Sequence, residues 1–142
     1  MRELSFLYTL DEIDTAAARI ITAAGEVKIW LLTGDMGAGK TTLVKAICRA
    51  LGAEGDLSSP TYSIANQYEL ADGRGRIYHL DLYRLKTIEE AEDIGIEEYL
   101  FGGSLCLIEW PQLIMPWLKE DECMTINMAS VSENERKVSI FI

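Results

Sequence analysis

The chain has 142 residues, 49% of them hydrophobic, with 13 Lys and Arg against 23 Asp and Glu for a net charge of −10. That size and composition fit a single domain over 1–142 with a proper core, and exclude a disordered chain. They also exclude a membrane-spanning helix, since no apolar run approaches the ~20 residues one needs. Direct nucleic-acid binding is disfavoured because phosphate contacts need a basic face.

At the start, Met1-Arg2-Glu3-Leu4-Ser5-Phe6-Leu7-Tyr8 is too acidic, and too short in its apolar part, for a signal peptide, so a cytoplasmic location is expected. Residues 3–8 read as a short strand. Thr9-Leu10-Asp11-Glu12 then has the form of a capping box, and Ile13, Ala16, Ala17, Ile20 and Ile21 mark one face of a helix ending near Gly25. Val27 to Thr33 is a β-branched and aliphatic run, predicted to be a buried strand. Leu43, Ile47 and Leu51 recur at helical spacing over 42–51 and stop at Gly52. A small, polar loop follows to Ser59 and Pro60. Residues 61–70 and 75–83 are predicted strands joined through the Asp72-Gly73 turn signal. Residues 87–101 are expected to be helical but broken at Gly95. Leu105 to Ile108 is a short apolar strand, Pro111 opens a short helix that Pro116 should disturb, and 123–130 with 136–142 should form a hairpin. The early alternation of strand and helix with later hairpins predicts an α/β fold, a mixed sheet with a parallel centre and antiparallel hairpins at its edges. Cys48, Cys106 and Cys123, odd in number and widely spaced among apolar neighbours, read as reduced core cysteines.

Between the second predicted strand and helix lies Gly34-Asp35-Met36-Gly37-Ala38-Gly39-Lys40-Thr41, a complete G-x-x-x-x-G-K-[ST] loop. Strand, loop and helix form the context in which this pattern becomes a phosphate site. Its glycines let successive backbone N–H groups curl around phosphate oxygens, and the helix N-terminus adds about half a positive charge. The expected nucleotide-binding set is therefore Gly34, Asp35, Met36, Gly37, Ala38, Gly39, Lys40, Thr41 and Thr42. Lys40 is expected to reach the outer phosphates and Thr41 to ligate Mg²⁺. ATP is favoured over GTP because the nearest approach to a guanine-reading motif, Leu118-Lys119-Glu120-Asp121, lacks its first polar residue.

Hydrolysis needs a carboxylate at the metal and a group to hold water. Glu109 follows the apolar strand and should emerge at its C-terminal edge, where open α/β sheets bind ligands. Asp81 shares a strand face with His79 and Tyr83, opposite Leu80 and Leu82. His79 alone reads as structural. Thr61, in Ser59-Pro60-Thr61-Tyr62, is placed either to sense the γ-phosphate or simply to enter a strand. Trp110 reads first as a core residue, with partner or adenine contact as the alternative. The acids Glu89, Glu90, Glu92, Asp93, Glu97 and Glu98 should form a solvated helix face.

Taken together, G-D-M-G-A-G-K-T-T at 34–42, S-P-T-Y at 59–62, H-L-D-L-Y-R at 79–84 and E-W at 109–110 resemble the TsaE (YjeE-type) family of small bacterial P-loop ATPases. Met36 stands where the family loop commonly has Leu, a swap of similar volume. The resemblance implies ATP and Mg²⁺ as cofactors and a slow ATPase stimulated by partner proteins. It implies a role in forming N6-threonylcarbamoyladenosine (t6A) in tRNA, exerted on the TsaB–TsaD complex; the acidic charge adds the expectation of no strong direct nucleic-acid binding by the chain alone, and the composition that of no membrane. Carried across, Lys40, Thr61, Asp81 and Glu109 would be the catalytic-site residues, with Thr41 and Glu109 at the metal. Sequence leaves open which carboxylate stands nearer the metal; the strand position favours Glu109 for Mg²⁺ and Asp81 for water. Two further readings remain, a nucleotide-dependent binding switch whose hydrolysis is incidental and a small-molecule kinase.

Overall fold

The computed structural model describes residues 2–55, 64–73 and 75–142. Its strands are β1 (Glu3–Thr9), β2 (Ile29–Gly34), β3 (Ala65–Glu69), β4 (Arg76–Asp81), β5 (Leu105–Glu109), β6 (Cys123–Ser130) and β7 (Glu135–Phe141). They form one sheet in the order β1–β7–β6–β2–β5–β4–β3. β2 pairs in parallel with both β5 and β6, and β5 in parallel with β4. The outer pairs β3–β4, β6–β7 and β1–β7 are antiparallel. The expected mixed sheet with a parallel centre is what forms.

The helices are α1 (Ile13–Ala24), α2 (Lys40–Ala50), α3 (Ile88–Asp93) and α4 (Ile96–Phe101). The predicted capping box is present: Glu12 accepts the Thr9 backbone N–H at 2.8 Å, and a 3-10 turn at Leu10–Glu12 leads into α1. Gly95, with φ of 73°, divides α3 from α4 as its sequence position suggests. The acidic residues of these two helices are all exposed. One local expectation fails at Pro116, which sits inside a 3-10 helix running Pro111–Trp117. A 3-10 turn needs only an i→i+3 bond, and losing one donor there costs less than in an α-helix interior.

Alternation along the central strands splits the core in two. Trp30 and Leu32 of β2, Leu107 of β5 and Ile77 of β4 pack with α1 and α2, whereas Ile29, Leu31, Cys106, Ile108 and Leu80 pack on the opposite face with α3, α4 and Ile114. Both faces of the parallel centre are therefore covered, which is why these strands read as continuous apolar runs. Each fully buried Leu or Ile contributes roughly 1.5–3 kcal/mol. The three cysteines are free and buried.

Candidate functional site

The same alternation decides which polar groups meet. Since Ile108 and Leu80 face α3 and α4, their neighbours Glu109, His79 and Asp81 must face α2. Strand register then sets Asp81 opposite Glu109 and His79 opposite Leu107. At the start of α2, the Thr41 hydroxyl donates to the Glu109 carboxylate, 3.0 Å from each oxygen. His79 Nε2 lies 2.6 Å from Glu109 Oε2 on its other side. Glu109 is only 2% exposed, so these contacts supply the polar partners that burial of a charge demands. Asp81 is half-buried, and its Oδ1 accepts the backbone N–H of Tyr83 at 3.1 Å.

Two glycines make the loop possible. A Cβ on Gly34 would lie 2.5 Å from the Met128 carbonyl oxygen of β6, a distance no side chain tolerates. Gly39 starts α2 from the left-handed region, at φ of 95°, turning the loop so that the helix N-terminus faces the cleft. Lys40 is buried and folds back over this loop, its Nζ donating to the carbonyls of Gly34 at 2.6 Å and Asp35 at 3.1 Å. Burial pulls its pKa below the ordinary lysine value, opposed by the charges of Glu109, Asp81 and Asp35.

Trp110 departs from the expected core role. It belongs to neither core cluster; its indole sits 4.1 Å under Lys40 Nζ and 5.0 Å from the Tyr83 ring. Its φ of 56° puts a bulky side chain in the left-handed region, a conformation that costs on the order of 1–3 kcal/mol and must be held by its surroundings.

These groups line a cleft of about 400 Å³. Of the residues expected from sequence, Met36, Gly37, Gly39, Lys40, Thr41, Thr42, Asp81 and Glu109 border it. Gly34, Asp35 and Ala38 serve it through their carbonyls, which hold Lys40 and Arg136. Thr61, with the rest of Ser59 to Tyr62, lies outside the described residues.

The opposite end of the cleft was not foreseen. Tyr8 of β1, Leu10 of the turn after it and Ile13 at the start of α1 border it together with Arg136 of β7. Arg136 donates through Nε to the Ala38 carbonyl at 3.1 Å and through Nη1 to Ser132 at 2.7 Å, tying the glycine loop to the β6–β7 turn. Burial raises the Tyr8 phenol above its ordinary pKa, and the charge of Arg136 pulls it part of the way back. Only sheet order brings these residues to the loop, and no local pattern encodes it.

A parallel-centred sheet, a glycine-rich loop between its central strand and a helix, and a carboxylate ending the adjacent strand define an α/β domain with a cleft at the C-terminal ends of its parallel strands. Residues 7–138 match the family model for threonylcarbamoyl adenosine biosynthesis protein TsaE. The tRNA threonylcarbamoyladenosine biosynthesis protein TsaE of Bacillus subtilis is 34% identical over 140 residues, 98% of this chain and 85% of that protein. Its Treponema pallidum counterpart is 33% identical over 81% of this chain and 82% of its own length. The fold is similar to the crystal structure of Bacillus subtilis YdiB, with a TM-score of 0.71 and 29% identity over 98% of this chain and 84% of that one. The chain belongs to the TsaE family. Among the described residues, no helix is long and apolar enough to cross a membrane.

Proposed function

We propose that this protein is a slow Mg²⁺-dependent ATPase of tRNA t6A modification that acts through a TsaB–TsaD-type complex. The observation that carries the reading is the contact between Thr41 at the start of α2 and Glu109 at the end of β5. It sets two oxygen donors beside a glycine loop and a buried lysine. Such a donor set suits Mg²⁺, which takes hard oxygen ligands and keeps water and phosphate oxygens for its remaining positions. Thr41 and Glu109 would hold the ion, which when bound supplies Lewis-acid polarisation of the transferred phosphoryl group.

The remaining roles belong to the chain's own groups. Lys40 exchanges its loop carbonyls for the outer phosphate oxygens, as a point charge. Asp81, paired in register with Glu109, holds and orients the attacking water. Thr61 is the switch threonine that responds to the triphosphate. Because Glu109 and Asp81 lie on the β5–β4 side of the loop, the nucleoside half extends over the β7–β1 side, against Leu10 and Ile13 with Arg136 alongside. A net charge of −10 favours a protein partner over free tRNA.

The test is phosphate release from ATP and from GTP, with and without Mg²⁺ and the TsaB–TsaD pair. Release from ATP should exceed that from GTP, require Mg²⁺ and rise with the pair. Release that ignores both metal and pair would contradict the proposal.

A further inference from the structure

His79 is the chain's only histidine and is 2% exposed. One ring nitrogen, Nε2, faces Glu109 Oε2 at 2.6 Å. The other, Nδ1, is buried with no hydrogen-bond partner among the described residues. This asymmetry favours one tautomer of the ring over the other. If Glu109 were protonated and donated to Nε2, a neutral imidazole would carry its hydrogen on Nδ1, and a doubly protonated ring would carry one there too. Either arrangement buries a donor for which the described residues offer no acceptor, which costs about 1–3 kcal/mol. The arrangement with no unmet donor has the hydrogen on Nε2, donated to an ionised Glu109, and leaves Nδ1 as a bare acceptor.

A glutamate carboxylate turns easily about its last torsion, because that bond has broad, two-fold preferences. Burial by itself does not fix which way the Glu109 oxygens turn, and a directional bond to one of them removes that freedom. We infer that His79 is a positioning residue. Its Nε2–H anchors Oε2 of Glu109, so that the carboxylate stays turned toward the Thr41 hydroxyl and the cleft. The placement follows from the strand: His79 sits two residues before Asp81, on the face toward α2, and reaches diagonally to Glu109 on the neighbouring strand. The catalytic consequence rests on the reading of Glu109 as an Mg²⁺ ligand; the bond itself does not.

Two experiments separate the bond from that reading. Nitrogen-detected two-bond NMR on the full chain without nucleotide sees a single imidazole. It should show the Nε2-protonated tautomer with a strongly deshielded, slowly exchanging proton that disappears in Glu109→Ala. An Nδ1-protonated ring, or a signal indifferent to Glu109→Ala, overturns the inference. In the second, His79→Gln places an amide N–H near the Nε2 position, whereas His79→Asn is too short to reach Glu109. The Mg²⁺ concentration for half-maximal ATP hydrolysis should rise about 10–100-fold in the Asn variant and recover most of that in the Gln variant. Affinity for ATP without Mg²⁺ should stay within about twofold in both. Asn and Gln variants that both match the wild type overturn the positioning role. If neither variant folds, the tautomer measured in the wild type decides. A wild type that binds no ATP refutes the functional reading and leaves the NMR result to judge the bond.

Discussion

Replacing Arg136 by Ala should loosen the glycine loop from behind. The guanidinium donates to Ala38 at 3.1 Å, Ser132 at 2.7 Å and Glu135 at 3.1 Å, with a longer contact to Glu133 at 3.4 Å. Hydrogen bonds from a charged donor contribute about 1.5–3 kcal/mol each when buried. Ser132 and Glu133 lie in an exposed turn, where water replaces most of what is lost. The part-buried contacts to Ala38 and to the adjacent Glu135 carbonyl therefore dominate, and the net cost should be about 2 kcal/mol. For a chain of this size that lowers Tm by roughly 4–8 °C. ATP should bind about tenfold more weakly, a loss of about 1.4 kcal/mol, because the cleft loses both a cation and the tether on its loop. The Tyr8 phenol, freed of the charge that lowers it, should titrate at still higher pH. Arg136→Lys restores the charge but cannot fork to two carbonyls at once, so it should recover less than half of the stability. Circular dichroism melts, calorimetric ATP titrations and a phenol absorbance titration measure the three effects. A variant melting within about 1 °C of wild type, with ATP affinity within about twofold, would refute the brace.

Other outcomes follow from the same geometry. Lys40→Ala should stay folded, since Nζ contacts only loop carbonyls and one ring face, but lose tight ATP binding; calorimetry showing wild-type affinity would remove the phosphate-site assignment. Trp110→Ala should fold, because the indole lies outside both core clusters. Its affinity for the TsaB–TsaD pair in the presence of ATP should fall, as should that of Thr61→Ala, and unchanged binding in both would dismiss a switch surface. Burial pushes the Cys48 and Cys106 thiols up to about 12 and raises Cys123 as well, so at pH 8 the thiolate fraction of the first two is of order 10⁻⁴. A thiol reagent should therefore label all three cysteines only after denaturation. Rapid labelling of the native protein would contradict that burial.

Sequence patterns revealed most of what depends on local rules. Glycine spacing located the loop, the apolar run before Glu109 located the strand end, and period-two alternation put Asp81 and His79 on one face. Glu109 ends its strand as expected and Thr41 meets it, whereas β4 stops at Asp81 instead of running on to residue 83, so Tyr83 leaves the strand face it was expected to share. What local rules cannot show is which distant strands become neighbours. Arg136 looks like one more polar residue in an edge hairpin, and Tyr8 like an edge-strand aromatic. They reach the loop only because β7 and β1 lie beyond β6 on the far side of β2. Trp110 differs for another reason: a tryptophan after an apolar strand suggests core, but with a left-handed backbone its ring lies beneath the Lys40 ammonium. His79 has the burial of a structural histidine, yet its bond to Glu109 ties it to the site.

The central claim is that Thr41 and Glu109 form a Mg²⁺ site beside a nucleotide held by the loop. Calorimetric titration of ATP into the wild type and into Glu109→Ala, each with and without Mg²⁺, tests it most directly. One ATP should bind per chain, more tightly with Mg²⁺ in the wild type, while Glu109→Ala should retain the metal-free affinity and lose the gain from Mg²⁺. An equal Mg²⁺ effect in both proteins, or no binding to the wild type, would contradict the account.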